Sequence, residues 1–168
     1  YPIPGSNNFW TIQASPTSRL VQYQSDGSQV CSYSLPTAVG AYEPVVGPDG
    51  TVYTILGGNT ILPVDTGCGR NYQRSQSVNL SYLSVTPNGN TLLAFSGGAG
   101  TSASLTAHGI NAGNGRQSWS EVLPLDGGAS HFVDTPASFS PSGDTAYFMS
   151  HKGGGGNLGA ALNAMTVV

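Results

Sequence analysis

Pro48-Asp49-Gly50-Thr51-Val52-Tyr53 decides the fold, because the chain writes it twice more. It returns as Pro87-Asn88-Gly89-Asn90-Thr91-Leu92-Leu93 and as Pro141-Ser142-Gly143-Asp144-Thr145-Ala146-Tyr147. Pro presets the first φ of a turn, a small polar residue tolerates the next position, and Gly takes positive φ without steric cost. Short apolar runs flank every copy: Pro44-Val45-Val46, Leu83-Ser84-Val85 and Ala137-Ser138-Phe139 precede them. Each copy therefore reads as a hairpin. Three hairpins of one design are an internal repeat.

Working outward, Pro4-Gly5-Ser6-Asn7-Asn8-Phe9-Trp10 lies over the motif as a degenerate first copy. The aligned prolines are then spaced by 44, 39 and 54 residues. The excess in the last interval falls in loops, at Gly97–Ser102, Ile110–Asn114 and Leu125–Asp134. Later turns recur too: Asp26-Gly27, Asp65-Thr66-Gly67 and Asn114-Gly115, and the outer strand of the second unit is expected over Asn71–Ser75. Between turns the alternation has period two, and Gly recurs too often for helices. These signals predict an all-β single domain, a β-propeller of about four blades of antiparallel strands. The units run approximately over 1–38, 39–78, 79–125 and 126–168. The fourth unit, with strands expected at Pro136–Ser140, Thr145–His151 and Ala160–Val168, is one strand short. Its open edge could be closed by the N-terminal segment, by a second copy, or by further chain.

Composition narrows the function. Charged residues make up 8% of the 168 residues, against roughly 25% in an ordinary soluble domain. There is one lysine, Lys152, and the net charge is −3. Without a basic patch, nucleic acid is not an expected partner. No apolar run reaches the ~20 residues of a membrane-spanning helix. A chain polar through hydroxyls and amides, starting at Tyr1 and carrying two cysteines, reads as a processed product that is secreted or displayed at the cell surface. Asn79-Leu80-Ser81 is a glycosylation acceptor pattern. Cys31 and Cys68 are the candidate disulfide pair. Cys31 lies mid-strand at the outer edge of one blade and Cys68 in a turn of the next, and such edges splay apart, so separate burial stays open.

The repeat resembles the quinoprotein-dehydrogenase-like (PQQ-type) β-propeller family. Val45–Tyr53 resembles its "Val-x-x-x-Pro-Asp-Gly-Thr-Val-Tyr" pattern with two residues rather than three between Val45 and Pro48, Asp65-Thr66-Gly67 its later turn, and Asn114-Gly115 with Trp119 its outer strand. The resemblance implies the fold. It also implies that the family's redox activity is absent. Its enzymes hold their quinone with adjacent cysteines, a stacking Trp and calcium ligands, and resemble eight-bladed rings. This chain has no Cys-Cys pair.

Propeller geometry places the Pro-x-Gly and Asp-Gly turns on one face and the longer loops on the other, where binding residues gather. Tyr42 and Tyr82 fall in equivalent blade links as flat surfaces for sugars. His131, Asp134 and His151 fall on the same face, where a His and a carboxylate three apart, with His151 across one hairpin, could form a metal site or an acid–base pair. No Gly-x-Ser-x-Gly elbow is present, and Gly153–Gly156 lacks the Lys and helix of a phosphate loop. His108 reads as a surface or interblade residue. The expectation is a non-enzymatic module without cofactor or metal, engaging other protein subunits, copies of itself or glycans. The alternative is a fragment of a quinone- or metal-dependent oxidoreductase.

Overall fold

The computed structural model describes residues 1–13, 18–36, 43–97, 104–123, 130–153 and 160–167, with the backbone alone at 130, 131, 152, and 153. These residues form four antiparallel sheets in chain order. The first holds β1 (Phe9–Gln13), β2 (Arg19–Tyr23) and β3 (Gln29–Ser34). The second holds β4 (Val45–Val46), β5 (Val52–Leu56), β6 (Thr60–Val64) and β7 (Arg74–Ser75). The third holds β8 (Ser81–Val85), β9 (Thr91–Ser96), β10 (Thr106–Asn111) and β11 (Gln117–Val122). The fourth holds β12 (Ser130–Val133), β13 (Ser138–Phe139), β14 (Thr145–Gly153) and β15 (Ala160–Thr166). Each sheet is a blade of a β-propeller.

The repeated motif does in space what its chemistry demands. Gly50, Gly89 and Gly143 have φ of 85°, 74° and 81°. Each donates its N–H three residues back, to the carbonyls of Gly47, Thr86 and Ser140. The carboxylate of Asp49 and the amide oxygen of Asn88 accept the backbone N–H two residues on, at 3.0 Å in both. The turns also nest: a Cβ on Gly89 would stand 3.0 Å from Pro48, and one on Gly143 would stand 3.1 Å from Pro87.

The degenerate first copy is used. Ile3 donates to Asn8, Trp10 donates to Tyr1, and Pro2 bridges Phe9. Tyr1–Ile3 thus lies along β1 through one bridge, in the place of an innermost strand, which takes the N-terminal segment away from the open edge of the fourth blade.

Three hydrophobic cores lie between consecutive blades. Trp10 and Leu20 pack on Val52, Leu62 and Val64. Tyr53, Ile55 and Ile61 pack on Leu92, Ala94 and Ile110. Leu93, Phe95 and Ala107 pack on Ala146 and Phe148. Two sequence expectations need correction. The fourth blade's inner strand begins at Ser130, inside the stretch read as a loop. It is broken between Val133 and Ser138, both pieces pairing with β14. The outer strand expected over Asn71–Ser75 shrinks to Arg74–Ser75. Before it, the Asp65 carboxylate gathers the N–H groups of Gly67 and Gly69 into a wide turn; Val64 bridges Arg70 just after it, and 71–73 fall outside the ladder because the register slips by one before Arg74 pairs with Ile61.

Candidate functional site

A cleft of about 430 Å³ opens on the long-loop face where the third blade meets the fourth. Ser81, Tyr82 and Gly97 line it from one side, and Phe132, Val133, Asp134 and His151 from the other. The break in the inner strand creates its polar part. Asp134 follows β12 directly and donates its backbone N–H to Met149 at 3.0 Å. That anchor leaves its carboxylate beside β14, where His151 stands opposite Phe132 in the register. His151 Nδ1 and Asp134 Oδ1 are 2.5 Å apart, with side chains 31% and 38% exposed. The imidazole also stacks on the Phe132 ring, with centroids 5.2 Å apart and planes 19° apart. Stacking and hydrogen bond fix the ring in two directions. With Nδ1 committed to the carboxylate, Nε2 is the ring atom left for another partner.

Tyr82 enters by a different device. Sequence spacing put it in a blade link, but it sits inside β8 at a bulge, where the register slips between Ser81 and Leu83. Its φ is 47°, which an aromatic residue rarely adopts. Such strain costs on the order of 1–3 kcal/mol and collects at functional sites. The bulge lets one ring pack against the core between the third and fourth blades and also line the cleft.

The structure therefore brings together Tyr82, Asp134 and His151. His131 pairs through its backbone with Lys152, and its side chain lies outside the described residues. Tyr42 also lies outside them. Asn79 is exposed in the link before β8. Cys31 and Cys68 form a disulfide, with Cα atoms 6.0 Å apart. The splay argument overlooked the turn: Cys68 takes φ of 59° at its tip and reaches back to β3 of the preceding blade. Among the described residues no group of three or more His, Cys, Asp or Glu could hold a metal.

Sequence reasoning missed one polar constellation. His108 is 5% exposed. Its Nε2 lies 2.6 Å from Ser96 Oγ and its Nδ1 lies 3.0 Å from Gln117 Oε1. The amide oxygen can only accept, so Nδ1 carries the proton and Nε2 accepts from the serine hydroxyl. Burial pushes the His108 pKa down. The signal was available: a Ser and a His at inward positions of two adjacent strands need a common partner.

No protein-family model matches the chain, and no curated protein matches it either. Solved structures do. BamB from Moraxella catarrhalis matches with a TM-score of 0.60 and 14% identity, over 89% of this chain and 44% of that one. Quinohemoprotein alcohol dehydrogenase from Comamonas testosteroni matches with a TM-score of 0.59 and 10% identity, over 84% of this chain and 28% of that one. A tail fibre of a Staphylococcus aureus phage matches at 0.56 and 10%, over 98% and 49%. At these identities the likeness shows the fold alone, a β-propeller. The chain spans half or less of the length of each.

Proposed function

We propose that this chain is a non-catalytic, extracellular propeller module, a structural or interaction unit whose long-loop face receives a glycan or a loop of another protein subunit. The observation that carries this is the cleft. It sets the Phe132 and His151 rings and the strained Tyr82 beside a hydrogen-bonding carboxylate, in a chain that is 8% charged. Flat apolar rings next to a few placed polar groups suit an uncharged, hydroxyl-rich ligand better than an ionic one. The interblade disulfide supports an oxidising compartment. The same reading has no bound cofactor, and the BamB and tail-fibre likenesses support a propeller used for interaction.

A glycan array tests it. Binding is expected to fall at least tenfold on Phe132→Ala and on Asp134→Asn, about 1.4 kcal/mol or more. Binding insensitive to both substitutions would move the site elsewhere.

The Asp134–His151 pair favours one second reading, an acid–base or metal site. Metal analysis of the purified protein separates the two. Stoichiometric metal that is lost in His151→Ala would support the second reading and overturn the first.

A further inference from the structure

The three cores share one construction. Where a blade faces its successor, two residues of its second strand and one of its third form an apolar trio. The closing turn bonds align Asn8, Thr51, Thr91 and Thr145, which fixes the trios as Trp10, Ile12 and Leu20, then Tyr53, Ile55 and Ile61, then Leu93, Phe95 and Ala107. In each, the second and third members are cross-strand partners. Each trio joins the core against the next blade, and all but Ile12 are at most 5% exposed.

The same register in the fourth blade selects Tyr147, Met149 and Leu162, with Met149 paired to Leu162. Their exposures are 43%, 43% and 75%. A solvent-facing sheet surface ordinarily alternates to polar residues. This one keeps the apolar side chains of a blade contact and belongs to none of the three cores.

The receiving half of that contact is also present. Toward the preceding blade, the partner pairs are Val52 with Val64, Leu92 with Ile110, and Ala146 with Met165. In the first blade the equivalent pair is Phe9 with Tyr23. Their rings stack with centroids 5.8 Å apart, half-buried, beside half-buried Thr11. Among the described residues no core joins the fourth blade to the first.

We propose that the outer face of the fourth blade docks on the first blade of a second copy of this chain, and reciprocally, so that two copies close one ring head to tail. Among the described residues no blade fills this contact, although Val21, the partner of Thr11, is 1% exposed; both halves lie on this chain, in the register of the three contacts that are filled. The chain spans 44% and 49% of two of the chains it matches, so two copies come to about the length of either. A head-to-tail contact that closes gives a ring rather than a filament. Nothing here depends on what the cleft binds.

Sedimentation velocity on the intact chain, from about 1 to 100 µM, tests the proposal. A reversible dimer is expected, of twice 17.2 kDa. Met149→Asp on the giving face and Thr11→Arg on the receiving face should each weaken it by roughly 100-fold. Val122→Asp, at a 61% exposed position on β11 outside the contact, should leave it unchanged. Thermal melts confirm that each variant is folded. A monomer throughout the range, a dimer indifferent to Thr11→Arg, or a ladder of larger species would each overturn the proposal.

Discussion

Phe95 and Met149 occupy the same position in consecutive blades, and their surroundings are opposite. Phe95 is fully buried, its ring 4.7 Å from that of Phe148 in the next blade. Met149 is 43% exposed with no described blade beyond it. The repeat supplies an apolar side chain at both places, so it specifies a contact whether or not the chain itself fills it. What stabilises a blade is therefore its neighbour, as in other repeat architectures where each unit contacts only the next.

The largest expected effect breaks that comparison directly. Phe95→Ala should cost about 3–5 kcal/mol of unfolding free energy, through lost transfer energy and a residual cavity. Met149→Ala, in dilute solution, should stay within about 0.5 kcal/mol. Equal costs in chemical denaturation would mean that Met149 is covered in the monomer. Next comes the first contact, which carries a covalent staple. Reducing Cys31–Cys68, 37 residues apart, should cost roughly 2–4 kcal/mol. Hydrogen exchange should then rise first in the first and second blades.

A smaller effect sharpens the third contact. Trp119 lies over Gly109, and a Cβ there would stand 2.1 Å from the indole. Gly109→Ala should therefore displace Trp119, costing roughly 1–3 kcal/mol by overpacking, with a change in tryptophan fluorescence. The smallest effect lies in the second contact. Burial lowers the His108 pKa below its ordinary 6.5. The unfolded chain thus takes the proton first as pH falls, so stability is complete above about 6.5 and declines below it. His108→Gln should flatten that part of the stability–pH curve.

The fold was legible because its determinants are local. A Pro-x-Gly turn and a period-two strand need only a few adjacent residues, and Gly50, Gly89 and Gly143 take the φ their motif requires. The site was half legible. Asp134 and His151 were visible as residue types, but their meeting depends on the break between β12 and β13; Pro136 marks where the ladder loses a donor, not which side chains the break brings together. Tyr82 was read into a blade link because a bulge in β8 is set by pairing with β9 rather than by its own sequence. The disulfide was doubted because a strand model of Cys31 and Cys68 ignores how far a turn with a left-handed residue can reach.

The two methionines of the chain stand on opposite faces of the fourth blade: Met149 on the outer face, and half-buried Met165 against the core shared with the third. Oxidation by dilute peroxide, followed residue by residue with peptide mass spectrometry, reads both faces in one experiment. The expected result is fast oxidation of Met149 and slow oxidation of Met165 in dilute solution, with Met149 slowing towards the Met165 rate as concentration rises. Equal rates in dilute solution, or a Met149 rate indifferent to concentration, would contradict an arc of blades whose last face is built to be covered.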